Sequence, residues 1–154
     1  MADAALSGYQ AAEAAISFTG TRTLVSLANE EWTDLSDEID NSTNKYIMVD
    51  LRIVLASAAF AGTDSLIEVF LVPSVDGTTY PTWTGDGIVA EQENQVFYVN
   101  SAPTTGTTAA QNMVMRNITL PNGKYKWGVR NRTNIALAAS GNTIYWRPHG
   151  FSTA

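Results

Sequence analysis

The sequence predicts an all-β fold: a single antiparallel β-sandwich, jelly-roll-like, with about eight strands and an N-terminal arm. Three observations carry this expectation. From Gly20 onward, short β-branched runs are separated by Gly, Asn, Asp, Pro and Ser, the punctuation of strands and turns. Residues 45–55 alternate strictly, with Ile47, Val49, Leu51, Ile53 and Leu55 on one face and Asp50 and Arg52 on the other. No long helical period competes, and no internal repeat is visible. With 154 residues, 45% of them apolar and 10% aromatic, the chain suffices for one domain with a real core. The division expected is an arm over residues 1–20 and a sandwich over residues 21–154.

Taken in order, residues 1–20 are alanine-rich and carry Leu6, Tyr9, Ala12, Ile16 and Phe18 at the loose spacing of a short helix. A helix of that length is marginal in water, so the arm is expected to dock on a neighbour and to be dispensable for folding. Residues 21–28 read as the first strand, and residues 29–43 as an acidic loop around Trp32, Leu35 and Ile39. Residues 65–72 are apolar on both faces except at Glu68, which suits a central strand or one whose outer face meets a partner. Asp76-Gly77 marks a turn within residues 75–83. Residues 95–99 form a short strand, and residues 101–111 a polar loop. Residues 112–120 and 124–131 flank Pro121-Asn122-Gly123, and Asn-Gly between two β-rich runs predicts a type I′ hairpin. In its second arm Tyr125, Trp127 and Val129 face inward, while Lys124, Lys126 and Arg130 form an outer basic ridge. A last pair, residues 135–139 and 143–147, turns at Ser140-Gly141-Asn142.

Charge is unevenly spread. Residues 1–44 hold eight acids against Arg22 alone, and residues 45–93 hold seven against Lys45 and Arg52. After Glu93 there is no acid, while Arg116, Lys124, Lys126, Arg130, Arg132 and Arg147 follow; the whole chain is at −6. Either the two ends meet within one subunit, or the basic end of one copy steers toward the acidic end of another. Net acidity opposes phosphate contact, so no nucleic-acid partner is expected. The first residues lack a basic region and a long apolar run, and the longest uncharged apolar-rich stretch, residues 53–63, is too short to span a bilayer; neither secretion nor a membrane partner is expected.

The absence of cysteine excludes disulfides, thiolate metal sites and thiol nucleophiles. His149 is the lone histidine, and no Gly-x-Ser-x-Gly elbow exists for a serine triad. Glu68, Asp86, Glu91 and Glu93 are the acids available for glycosidase chemistry, but nothing marks one for burial. The loop containing Asp34, Asp37, Glu38, Asp40 and Asn41 has oxygen ligands for calcium without the spacing or central glycine of a known loop. The expectation is therefore no catalytic, cofactor-binding or metal residues and no cofactor. Asn41, Asn117 and Asn131 sit in Asn-x-Ser/Thr triplets, which matter only in a secreted protein. Among Tyr80, Trp83, Tyr98, Trp127 and Trp146, Trp83 in its Thr/Gly-rich loop is the one attractive sugar-stacking residue, with Tyr80 beside it.

Four phrases add a resemblance: residues 38–44 (EIDNSTN), 67–81 (IEVFLVPSVDGTTYP), 120–127 (LPNGKYKW) and 138–147 (AASGNTIYWR). Together they resemble small virion structural proteins of tailed bacteriophages, most of all the capsid cement or decoration type, over about residues 21–148. That resemblance implies a sandwich or jelly roll on the outside of an icosahedral head. The implied partners are the major capsid protein and further copies of the chain, commonly as a trimer, assembled in the host cytoplasm. It implies no enzyme activity. Phage tail and fibre proteins reuse similar sandwiches, which leaves a receptor- or carbohydrate-binding module as the alternative.

Overall fold

The structure, a computed structural model, describes residues 6–9, 11–58, 60, 65–84, 87–88, 97–103 and 108–151. Among the described residues there is no helix, and the strands form two principal antiparallel sheets. In the first sheet β1 (Leu6–Tyr9) and β2 (Ala14–Ala15) both pair with β11 (Thr143–Phe151), which pairs with β4 (Met48–Leu55), which pairs with β9 (Gln111–Thr119). The second runs β3 (Ile39–Asp40), β10 (Lys124–Arg132), β5 (Leu66–Pro73), β8 (Phe97–Pro103). A small hairpin of β6 (Trp83–Thr84) and β7 (Gly87–Ile88) stands in the connection between β5 and β8.

With β1 and β2 counted as one interrupted strand, the two sheets hold eight strands. The first sheet reads first, eighth, third, sixth; the second reads second, seventh, fourth, fifth. Every nested pair is antiparallel, so the chain is one long hairpin folded at β5–β8 and rolled into two layers, which is the jelly roll.

This topology corrects the hairpin expected at Asn122-Gly123. The strands on either side, β9 and β10, belong to different sheets and do not pair. Only Gly123 takes a positive φ, at 137°, whereas a type I′ turn needs positive φ at both central residues. Asn-Gly here makes a crossover between layers.

Residues 21–28 and 135–139 are not strands either. Positive φ at Ser26 interrupts the first run, and positive φ at Glu30 and Asn134 turns the chain beside the two segments. The two segments still meet, through Ser26 N–H to the Ala138 carbonyl and Leu137 N–H to the Leu27 carbonyl, and bury Leu24, Leu27 and Leu137 at the end of the core. Side-chain amides replace the missing ladder. The Asn131 amide donates to the carbonyls of Leu27, Ala28 and Ile135, and Asn142 donates to those of Leu24 and Ala138.

The arm is strand where a helix was expected. Ala14 and Ala15 pair with Trp146 and Tyr145, Ile16 N–H donates to the Ile144 carbonyl, and the Ile16 side chain joins the core at 7% exposure. Alanine-rich sequence forms strand here because β11 presents an unpaired edge that only backbone can satisfy.

The core alternation holds for Val49, Leu51, Ile53 and Leu55, all fully buried with Tyr125, Trp127 and Val129 between the layers. Ile47 is 39% exposed, because it precedes the first paired residue, Met48. β5 is central, between β10 and β8, as its apolar faces require. Residues 101–103, read as loop, extend β8 opposite Leu66, Ile67 and Glu68; residues 95–96 of the expected strand lie outside the described residues.

Candidate functional site

The acidic segment lies along the open edge of β10. Asn131 N–H donates to the Glu31 carbonyl, Val129 N–H to the Thr33 hydroxyl, and Trp127 N–H to the Ser36 hydroxyl, before β3 pairs with Lys124 and Tyr125. Two hydroxyls thus stand in for ladder carbonyls and close an edge that would otherwise template aggregation.

On the outer face of the same sheet, Gly128 leaves a hollow that the Trp83 ring fills; a Cβ there would lie 2.2 Å from Trp83 Cζ2. The Trp83 indole N–H donates to the Thr33 carbonyl at 2.7 Å, and its ring meets Trp32 and Phe70 with centroids 5.2 and 6.0 Å apart. The Arg130 guanidinium covers Trp32, and the Lys126 ammonium lies 4.8 Å from the Tyr80 ring centre. The Tyr80 hydroxyl donates to Glu38, which also pairs with Lys124. Burial and the Glu38 carboxylate push that hydroxyl above its ordinary range. Trp83 therefore holds the acidic segment onto the sheet, a packing role with its polar handle already spent.

The other candidates disperse. Trp127 is core, Trp146 packs half-buried against it, and the Tyr98 side chain lies outside the described residues. Glu68 sits between Arg130 and Arg132, at 3.4 and 3.2 Å, with Glu30 pairing the same two arginines; Asp86, Glu91 and Glu93 lie outside the described residues. In the loop weighed for calcium, Asp34 accepts from the Arg22 backbone N–H and guanidinium, Asp37 from the Thr19 hydroxyl, and Asp40 from Ser42. These bonds hold all three carboxyls below their usual range, led at Asp34 by the Arg22 backbone N–H. Each carboxylate turns to its own partner, and among the described residues no group of three metal-ligating side chains converges. Asn41 and Asn131 are buried, and Asn117 is exposed at a bulge of β9.

The two charged ends of the sequence meet inside one subunit: Arg116 pairs with Asp50, Lys124 with Glu38, and Arg130 and Arg132 with Glu30 and Glu68.

The outer face of the first sheet holds a feature that residue-by-residue reading missed. An open groove of about 150 Å³ crosses β4 between the arm and β9, lined by Glu13, Asp50, Arg52, Val114, Arg116 and Arg147 above Leu51. Arg52 forms a bidentate pair with Glu13 and stacks 4.2 Å over the Tyr145 ring; that pairing lowers the Glu13 pKa. Asp50, whose side chain is 12% exposed, accepts from the Asn117 N–H at 2.9 Å and lies 3.2 Å from His149 Nε2 and 3.5 Å from Arg116. Arg147 stands directly across from Asp50 in the β4–β11 register. Only the polar face of residues 48–54 hinted at this groove, since the three arginines come from strands far apart in sequence. Its chemistry is recognition of charge: guanidiniums from three adjacent strands beside two apolar residues, Leu51 and Val114.

The fold and these faces define an all-β jelly roll with a charged groove on one sheet and an aromatic-covered face on the other. No protein-family model matches the chain, and a search of the curated proteins returned no match. No helix among the described residues is long and apolar enough to cross a membrane.

Proposed function

We propose that this chain is a noncatalytic structural protein of a tailed-bacteriophage virion, which decorates and stabilises a capsid through contacts with the major capsid protein and with other copies of itself. The observation that carries the reading is where the four resembling phrases fall. Residues 38–44 supply β3 and the buried Asn41, whose amide bonds the Tyr46 and Pro121 carbonyls. Residues 67–81 supply the central strand and the Asp76 turn, residues 120–127 the crossover between layers, and residues 138–147 the entry to β11. The resemblance thus rests on the framework of the domain.

A second support is that the side chains suited to chemistry are engaged in the framework: Glu68 by two arginines, Trp83 by Thr33, Asp34 by Arg22. The jelly roll is an architecture of viral capsid and lectin domains alike, so it suits this reading without selecting it. Placement on the capsid surface, assembly in the host cytoplasm and trimer formation belong to the same proposal.

Counting and locating the protein in purified virions tests it. Copies at every capsid-surface position are expected; a handful at the tail would overturn the decoration role. The second reading, a carbohydrate- or receptor-binding module, draws on the half-buried Trp32, Phe70 and Trp83 cluster. A glycan array decides it: binding that Trp83→Ala abolishes in a still-folded protein would favour the module.

A further inference from the structure

We propose that the arginine-lined groove on the first sheet is a docking site for the acidic segment of a second copy of this chain, joining copies head to tail. The inference rests on the reading that the protein works through contacts between subunits, and it names the two surfaces that meet. On one side stand Arg52, held by Glu13; Arg147, whose Nε donates to the Ala11 carbonyl; and Arg116, whose guanidinium lies 3.5 Å from Asp50 and is the exposed member of the three. Arg116 is 66% exposed, and Val114 beside it is 52% exposed, so charge and apolar surface lie together at the β9 edge.

On the other side is the segment over β10. Glu30, Asp34 and Glu38 in that segment are in ion pairs within the subunit. Glu31, Asp37 and Asp40 are exposed and make no ion pair among the described residues. They are nevertheless held in place: the Ala28 N–H bonds Glu31, the Thr19 hydroxyl bonds Asp37, and Ser42 bonds Asp40. Carboxylates already ordered lose little further entropy on docking. The chain as a whole is at −6, so two copies repel on average, and placing opposite charges face to face offsets that repulsion. The groove is on the outer face of one sheet and the acidic segment on the edge strand of the other. The contact is therefore between unlike surfaces, which closes into a ring if the rotation permits.

The experiment is sedimentation velocity on the full chain with two complementary variants, each checked for wild-type melting. Arg116→Glu with Arg147→Glu removes the groove; Glu31→Lys with Asp37→Lys removes the acidic face. Wild type is expected to self-associate at low salt and to dissociate at about 1 M salt, where the screening length falls to about 3 Å. Each variant alone is expected to be monomeric, with self-association weakened by about tenfold or more. A mixture of the two retains one intact groove and one intact acidic face, and is expected to form a one-to-one dimer that grows no further. A wild-type monomer at every concentration overturns the proposal, as does self-association that both variants retain, or a mixture that stays monomeric. None of these results bears on where the protein sits in a virion, so the decoration role stands or falls separately. If Arg147→Glu loosens the fold, Arg116→Glu alone carries the test, because that side chain is largely solvent-exposed.

Discussion

Asn131 does with one side chain what a strand pair does with backbone. Fully buried, it donates to three carbonyls and accepts from the N–H and hydroxyl of Thr133. Asn131→Ala strands those groups away from water, and chemical denaturation is expected to show a loss of about 3 kcal/mol or more. Tyr125 is the opposite case. Its hydroxyl is buried in the core with no hydrogen-bond partner among the described residues, and burial raises its pKa. Tyr125→Phe removes a desolvated polar group while keeping the ring against Trp127, so stability is expected to rise by up to about 1 kcal/mol in the same assay. At Gly128, alanine would press on the Trp83 ring and is expected to cost about 1–3 kcal/mol, read by denaturation and by a change in tryptophan fluorescence.

Among the elements, the arm departs furthest from the expectation of a docked helix. Its backbone pairs with β11 while Ile16 fills the core, so the strand and its buried side chain act together. Ile16→Ala is expected to cost about 2–5 kcal/mol through lost burial and a residual cavity. Deleting residues 1–19 removes that contact and uncovers the β11 edge at Tyr145, Trp146, His149 and Phe151. The truncated chain is expected to melt lower than full length and to aggregate on warming, visible by light scattering. A truncated chain that melts like full length would mean that the arm contributes nothing to the subunit's own stability.

At the scale of the whole molecule, the acidic first half and the basic last third are joined by ion pairs across the sheets. The carboxyls of Glu13, Asp34 and Glu38 have pKa values lowered in the folded state, by the Arg52 pair, the Arg22 backbone N–H and the Lys124 pair respectively. A folded pKa below the unfolded one means stability that is present at neutral pH and is lost as the pH falls below the ordinary carboxylate range. Melting temperature is therefore expected to drop between pH 7 and about pH 3. Asp34→Asn should begin lower at neutral pH and fall by less. Calcium chelation is expected to leave the melting temperature unchanged, since Asp34, Asp37 and Asp40 face separate partners.

Which residues face the core within each long strand is written in the order of the amino acids alone. Period-two alternation is local, so residues 49–55 and 125–129 were legible from spacing alone, and the apolar run of β5 announced a central strand. Which strand pairs with which is set by contacts between distant parts of the chain. In a rolled hairpin the first strand meets the eighth and the second meets the seventh, contacts that no turn signal encodes. Asn122-Gly123 marks a sharp change of direction, but whether the chain returns in the same sheet depends on the layer below. The edge of β10 is closed by Thr33 and Ser36, and the end of the core by Asn131, through bonds spanning about a hundred residues. The groove was hidden for the same reason: Arg52, Arg116 and Arg147 become neighbours only when β4, β9 and β11 lie side by side.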